Sequence, residues 1–384
     1  DAKLPRAIFV NKCDDNEANY DRVFKELKEK FGTAICPVTV PCKEGNNLTI
    51  INLTDMKAYK YDAKGKRSEV PVEGRLESIA EEYKEAFNDA ISMVSEEIME
   101  KVLMEEEVSR EEAAQALRQG IAGGDIVPVY CGSATLLWGI ADLLESVRDT
   151  FPSYTDKSGE RLADGGTVEI KPDGPTNIFV FKTVSDPFVG KMSFFKVMNG
   201  SLKRDAVLKN GYTGVNEKMA HIYTVRGKIQ TEVDELACGD IGMTAKLTNT
   251  NTNDTLCSAE PVSYSPVVYP TPYLTQAILP AAKGDEGKIS QSIAKMLEED
   301  QTLKFENNAE TKQMTISGIG DMQLAVLASK MKARFGVNVK LETPKIPYRE
   351  KITKAVDVEG KHKKQNGGAG QYGHVKIRFA PGEA

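Results

Sequence analysis

Ile8-Phe9-Val10, followed at once by Asn11-Lys12-Cys13-Asp14, limits what this chain can fold into more than any other stretch. Three consecutive apolar residues suit a short parallel strand covered on both faces, and the polar tetrapeptide marks where that strand must turn. The next segment sets Tyr20, Val23, Phe24, Leu27 and Phe31 on one helical face and stops at Gly32, a suitable helix C-cap. Residues 35 to 40 read as a second strand. Strand, helix, strand in this order predicts part of a doubly wound α/β sheet.

Two readings of the tetrapeptide stand. In one it is an Asx-turn with a helix cap. In the other it reads a guanine base: the Asp14 carboxylate accepts from N1–H and the exocyclic amine, a donor pair that adenine does not present. Asn11 then bonds the other edge of the base and ties neighbouring loops together, and the alkyl stem of Lys12 covers the ring. Such a site rejects a base lacking those donors because it would leave a buried carboxylate unpaired.

The α/β pattern then breaks. Residues 48–54 and 57–62 read as strands, and Ala63-Lys64-Gly65-Lys66 reads as a turn. One long acidic helical stretch runs from residue 75 to about 107, with Ile79, Tyr83, Phe87, Ile91, Val94, Ile98 and Val102 at three- and four-residue steps. A second helix covers 110–119, N-capped by Ser109. The pattern resumes with a strand over 126–130, then Cys131-Gly132-Ser133-Ala134, then an amphipathic helix through Ile140, Leu143, Leu144 and Val147. Residues from about 45 to 124 therefore read as an insertion. Loops at the carboxyl ends of parallel strands line one crevice, so the two turns can close on one base. In that arrangement backbone N–H groups at Ser133 and Ala134 approach guanine O6, and Ser133 braces Asp14.

At 384 residues the chain exceeds what one core supports, and further domains follow. After Pro152, Gly165-Gly166 and Pro172-Asp173-Gly174-Pro175 read as a linker. Short β-rich segments between residues 177 and 256, with no long helix, predict a small β-barrel. Beyond Pro270 the order strand, helix, strand, strand, helix, strand is the split β-α-β-β-α-β unit. Residues 349–359 and 374–379 read as strands opening a further domain, with Gly360 to Gly373 between them.

These motifs together resemble the elongation factor G family of translational GTPases. The resemblance rests on Asn11-Lys12-Cys13-Asp14 and Gly132-Ser133-Ala134 flanking an insertion, and on Asn253-Asp254-Thr255-Leu256-Cys257 at the end of the barrel. It rests also on Ile316-Ser317-Gly318-Ile319-Gly320-Asp321-Met322-Gln323-Leu324 and, most specifically, on the Gly-rich run from Gly367 to Val375. It implies a multidomain α/β plus β fold. Residues 1–154 would form the C-terminal half of a P-loop-type GTPase domain with its insertion, and 155–266 a β-barrel. Residues 267–345 would form a ferredoxin-like domain, and 346–384 the first strands of a fourth domain that faces RNA. It implies GTP or GDP as ligand, held here through a guanine half-site of Asn11, Lys12, Asp14, Ser133 and Ala134. It further implies the ribosome as partner, through ribosomal RNA and the stalk protein that meets the insertion, and transfer and messenger RNA met by the fourth domain. Translocation is the implied activity, in a cytoplasmic monomer. A ribosome-protecting or recycling GTPase, or a non-hydrolysing ribosome-binding paralogue, are the rival readings.

Two departures qualify the resemblance. The family's phosphate loop and switch segments precede the Asn-Lys-x-Asp turn, and residues 1–10 match none of them. As it stands the chain is expected to lack phosphate and Mg²⁺ ligands and any catalytic residue, and to be inactive alone; both ends read as cut. The third-domain pattern Gly-x-Gly-Glu-Leu-His-Leu is replaced by Gly318-Ile319-Gly320-Asp321-Met322-Gln323-Leu324, which suggests a divergent paralogue.

Charge and composition bound the partners. The net charge of −6 is unevenly spread: acids dominate residues 73–112, whereas Lys361-His362-Lys363-Lys364 is a basic run beside Gln371, Tyr372 and His374. The acidic helices read as a solvated face or as a docking surface for a basic or helical partner. The basic run reads as solvated charge or as an RNA contact in which Tyr372 and His374 stack on bases. No apolar run approaches the length of a membrane span. Six scattered cysteines with no CxxC pair argue against a zinc site or a disulfide framework and for a reducing compartment.

Overall fold

The computed structural model describes residues 4–44, 47–62, 64–104, 106–186, 189–282, 284–365, 367–368 and 370–382, so Ala63 of the expected turn and Ala369 of the Gly367–Val375 run lie outside it. The chain divides into two compact units, residues 1–157 and 158–384.

The first unit opens with β1 (Ile8–Val10), α1 (Tyr20–Phe31) and β2 (Ile35–Pro37). Next come β3 (Thr39–Glu44), β4 (Asn47–Asn52), β5 (Lys57–Tyr61) and β6 (Arg67–Val70), then α2 (Arg75–Ser92), α3 (Glu96–Leu103) and α4 (Arg110–Gly123). β7 (Val127–Cys131) and α5 (Ile140–Thr150) end it. A parallel sheet runs in the order β1-β7-β2, with Val10 opposite Cys131 and Ile35 opposite Val127. All five residues of β7 are buried, as a central parallel strand requires. β1 departs from expectation: it is the edge of this sheet and its three residues are only half-buried. The strand expected over 35–40 is two strands. Pro37 offers no N–H to the ladder, and after Val38 the chain crosses into a separate antiparallel sheet, β3-β4-β5-β6.

Capping explains the helix boundaries. Asn19 accepts the Arg22 N–H at 2.9 Å to start α1, and Gly32 at φ +72° ends it. The long acidic helix is interrupted: Ser95 accepts the Ile98 N–H and starts α3 afresh. The apolar seam continues across the break, which is why its spacing hid the interruption. Ser109 and Glu112 form a capping box on α4. In α5, Leu143 packs against the core and Ile140 is half-buried, but Leu144 and Val147 are exposed. One core joins the parallel sheet to the insertion, with Ile35, Ile50, Ile91, Leu117, Ile126 and Tyr130 fully buried in it.

Glu112 yields a pH prediction. Lys101, together with the Ser109 N–H and hydroxyl, pulls its carboxyl from the ordinary 4.5 down to about 2. Because the folded value is depressed, its stabilisation is complete above 4.5 and is lost as pH falls toward 2. Urea midpoints measured across that range should fall less steeply in Glu112→Gln than in the wild type.

The second unit begins with a small hairpin, β8 (Gly159–Arg161) and β9 (Thr167–Glu169). Ten strands follow: β10 (Asn177–Asp186), β11 (Gly190–Asn199), β12 (Leu202–Lys203), β13 (Val207–Asn210), β14 (Asn216–Lys218), β15 (Ile222–Arg226), β16 (Ile229–Val233), β17 (Glu235–Leu236), β18 (Ile241–Ala245) and β19 (Thr255–Cys257). Eight of them form one sheet, ordered β14-β13-β19-β10-β11-β18-β15-β16. It is barrel-like around Ile178, Val180, Phe195, Val197 and Leu202, but among the described residues it does not close, since its edges β14 and β16 do not pair. Next, β20 (Leu274–Pro280), α6 (Glu286–Glu299), β21 (Lys304–Asn308), β22 (Gln313–Gly318), α7 (Asp321–Phe335) and β23 (Val339–Glu342) make the split unit, with strand order β21-β22-β20-β23. It is clasped to β10 by a charged joint. Arg334 donates to both Glu299 oxygens at 2.9 and 2.8 Å and to the Ser185 carbonyl, and Glu299 accepts the Ser185 N–H at 2.7 Å.

β24 (Val356–Lys364) and β25 (Gln371–Phe379) form a terminal hairpin whose described residues are all exposed. The basic run expected between two strands therefore lies inside β24, and Gln371 to His374 lie inside β25.

Candidate functional site

Because β1 and β7 are adjacent and parallel, the turns that follow them leave the sheet at the same end. Backbone bonds stitch them together: Gly132 N–H donates to the Val10 carbonyl at 3.1 Å, and Cys13 N–H to the Gly132 carbonyl at 2.9 Å. Asn11 Oδ1 accepts the Lys12 N–H at 2.8 Å and, across 123 residues of sequence, the Ala134 N–H at 2.9 Å. Asn11 thus ties the loops together as expected. Lys12 is exposed, and its φ of +61° marks a sharp left-handed corner.

The neighbours of Asp14 bear on the Asx-turn and helix-cap reading of the tetrapeptide. The helix cap is Asn19, and the Asx-turn is made by Asp15, whose Oδ1 accepts the Glu17 N–H at 2.9 Å. Asp14 performs neither role. Its Oδ1 is shielded from solvent and accepts no hydrogen bond among the described residues. An orphaned carboxylate oxygen costs about 1–3 kcal/mol, a deficit that donors on a ligand remove. Lys43, which no sequence pattern marked, fixes the turn by donating its ammonium to the Asp15 carbonyl at 2.5 Å and the Asp14 carbonyl at 3.3 Å.

Ser133 corrects an expectation. Its hydroxyl does not brace Asp14; it pairs with Thr135 Oγ1 at 3.2 Å and accepts the Leu136 N–H at 3.3 Å. Its N–H and carbonyl both bond Trp138, at 3.0 Å each, so the hydroxyl is drawn into closing its own loop. Beneath the turns lie two thiols. A hydrogen bond from Cys131 holds the Cys13 thiol below its ordinary value, while burial pushes Cys131 up. None of the six cysteines forms a disulfide among the described residues.

The terminal hairpin sorts the seven RNA-contact candidates by face. In its register, Lys361 opposes His374 and Lys363 opposes Tyr372, so these four share a face with the Asp357–Arg378 and Glu359–Lys376 pairs. His362, Lys364 and Gln371 lie on the other face, with Val356, Val358, Val375, Ile377 and Phe379. On the charged face the Lys361 ammonium sits 6.0 Å from the Tyr372 ring centroid, a cation–π distance. His374 bonds Glu359, whereas Lys361 and Lys363 have no carboxylate within 4.0 Å among the described residues.

Comparison with known families covers nearly the whole chain. The elongation factor Tu GTP binding domain matches residues 1–153, and elongation factor G domain 2 matches 175–259. Elongation factor G domain III matches 269–343, and domain IV matches 344–384. The chain belongs to the elongation factor G family. Elongation factor G of Ureaplasma parvum serovar 3, in two strains, is 33% identical over 391 residues, covering 98% of this chain and 56% of its own length. A crystal structure of a protein from Thermus thermophilus aligns with TM-score 0.78 and 30% identity, over 99% of this chain and 55% of that one. The chain therefore spans about half the length of the elongation factor G sequences it matches. The family frame brings Gln323 into focus, which stands where the resembled pattern has His. Its amide donates to Asp300 Oδ2 at 2.8 Å and to Thr302 Oγ1 at 2.6 Å, and its Oε1 accepts the Ile319 N–H at 2.7 Å. Gln323 thus pins the start of α7 to the loop after α6. Among the described residues no helix is long and apolar enough to cross a membrane, and no acidic or thiol cluster has metal-site form.

Proposed function

We propose that this chain is part of an elongation-factor-G-type translational GTPase that reads guanine at the β1 and β7 turns and works on the ribosome, moving transfer and messenger RNA. The observation that carries the nucleotide half is the pairing of those turns by Asn11, with the adjoining Asp14 oxygen left without a donor. In this reading Asp14 takes the N1–H and the exocyclic amine, and Lys12 covers the ring. The loop of Ser133 and Ala134 faces O6, the Ala134 N–H exchanging its bond with Asn11 for one to the base. Bound GTP or GDP supplies the phosphates and Mg²⁺; no residue of this chain is assigned to hold either.

The exposed glutamates of α2, among them Glu77, Glu81 and Glu85, are the surface we assign to the stalk protein. The charged face of the terminal hairpin is assigned to RNA, in a cytoplasmic monomer built of the four domains read from the sequence. Saturation-transfer NMR with nucleosides tests the base site: guanosine should give signal and adenosine none, and equal signals would remove the reading. Sedimentation with ribosomes at several salt concentrations tests the hairpin. Lys361→Ala with Lys363→Ala should reduce the salt slope by about 0.7 to 0.9 for each phosphate that is no longer neutralised. Lys364→Ala, on the opposite face, should change it less. An unaltered slope in the double variant means that these lysines are solvated charge only.

A further inference from the structure

The insertion grips the base-reading loop through the turn between β5 and β6. The Asp62 carboxylate accepts the Lys64 and Lys66 N–H groups at 2.8 and 2.9 Å, and its carbonyl accepts the Gly65 N–H at 3.0 Å. That same carbonyl accepts the Trp138 indole N–H at 2.9 Å. Gly65 has φ +76°, and a Cβ built on it would lie 2.6 Å from Leu137 Cβ, so the backbone of the turn rests directly on the loop. Farther along, Arg67 bridges Asp142 at 2.5 Å and Glu145 at 2.6 Å, and Tyr61 donates its hydroxyl to Asp142. Asp142 is 3% exposed. Burial pushes its carboxyl up, and Tyr61 and Arg67 pull it back. Trp138 closes the loop on Ser133. Leu137, between them, is held at φ +59°, a conformation a leucine keeps only where its surroundings impose it.

We infer that this turn is a latch that sets the shape of the loop from Ser133 to Trp138. Trp138 and Arg67 are thereby positioning residues for base recognition. The inference rests on the guanine reading of Asp14 and Ala134. An unbroken path of hydrogen bonds and contacts carries it: Asp62 to Trp138, Trp138 to Ser133, and Ala134 to Asn11 in the facing turn.

The full chain carries its own reporter, since Trp138 is its one tryptophan. Gly65→Ala pushes the turn off Leu137, and Arg67→Lys keeps the charge beside Asp142 but loses the two-carboxylate fork; neither opens a cavity in the core. In both variants the indole emission should shift to the red, and amide exchange across residues 133–138 should accelerate roughly tenfold. Guanosine and inosine should both bind more weakly, by roughly fivefold and in parallel, because the loop meets O6, which the two bases share. Their affinity ratio, set by Asp14 at the exocyclic amine, should stay fixed. Faster exchange with unchanged nucleoside affinity would reduce the latch to a structural strut and overturn the inference. So would unchanged emission and exchange, or a shifted guanosine-to-inosine ratio. A wild-type chain that binds both nucleosides equally, or neither, removes the guanine reading and the positioning role with it, while the exchange data still decide whether the latch exists.

Discussion

Asp14→Asn should weaken guanosine binding by about 1–3 kcal/mol, five- to 150-fold, and leave inosine far less affected. The sign follows from the donor count. Guanine offers N1–H and the exocyclic amine to a carboxylate whose Oδ1 is buried and unpartnered. Inosine offers only N1–H, so much of what Asp14 contributes to guanosine it never contributed to inosine. An asparagine at position 14 keeps one acceptor and adds a donor. Xanthosine carries a carbonyl where guanosine carries its amine, so it should gain on the variant as guanosine loses. Nucleosides are the right probe because phosphate contacts, which dominate affinity in such sites, would mask a base contribution of this size. Titrations of guanosine, inosine and xanthosine against both proteins decide the matter. Unchanged guanosine affinity would mean that Asp14 does not read the base, and the carboxylate would then need another explanation for its missing donor.

Local signals in the sequence carried the frame of this site. The strand before Asn11, the strand before Gly132 and the cap at Asn19 each follow from a few adjacent residues, and parallel pairing brought the two turns together. Contacts set by neighbours were not legible. How far Ile8-Phe9-Val10 is buried depends on neighbours remote in the sequence, and among the described residues β1 pairs on one side only, with β7. Ser133 had several partners within reach, and closing its own loop through Thr135 and Leu136 displaced the expected brace on Asp14. The terminal hairpin was misjudged for a different reason. Its alternation runs unbroken from Val356 to Lys364, but beyond Gly360 the face carrying Val356 and Val358 continues with His362 and Lys364. Backbone pairing persists where the hydrophobic pattern fades, so the strand expected over 349–359 was ended too early at Glu359, while residues 349–355 lie outside it. Arg67 was invisible as a site residue because its importance lies in contacts 75 or more positions away.

Gly139→Ala should cost the first unit on the order of 4 kcal/mol, among the largest effects of any single substitution here. Two penalties coincide at this residue. Its φ of +76° is left-handed, which alone costs an alanine about 1–2 kcal/mol. A Cβ there would also lie 2.2 Å from the Cys131 carbonyl oxygen and 2.9 Å from Ile50 Cδ1, and a backbone oxygen at the end of the buried central strand cannot step aside. Relief requires α5 to move away from β7, which would pull Trp138 off Ser133 and open the loop from Ser133 to Trp138. Gly336→Ala separates the two penalties, because Gly336 shares the left-handed conformation (φ +67°, ψ +18°, against φ +76°, ψ −4° at Gly139) with nothing within 4 Å of its Cβ position. A thermal scan followed by Trp138 emission reports this unit. It should show a fall of about 10 °C for Gly139→Ala, and far-UV circular dichroism, which also sees the second unit, a fall of about 3 °C for Gly336→Ala. Equal shifts would mean that the loop yields to the methyl group at no cost. The close packing of β7 against the start of α5 would then not be what holds the turn after β7 in shape.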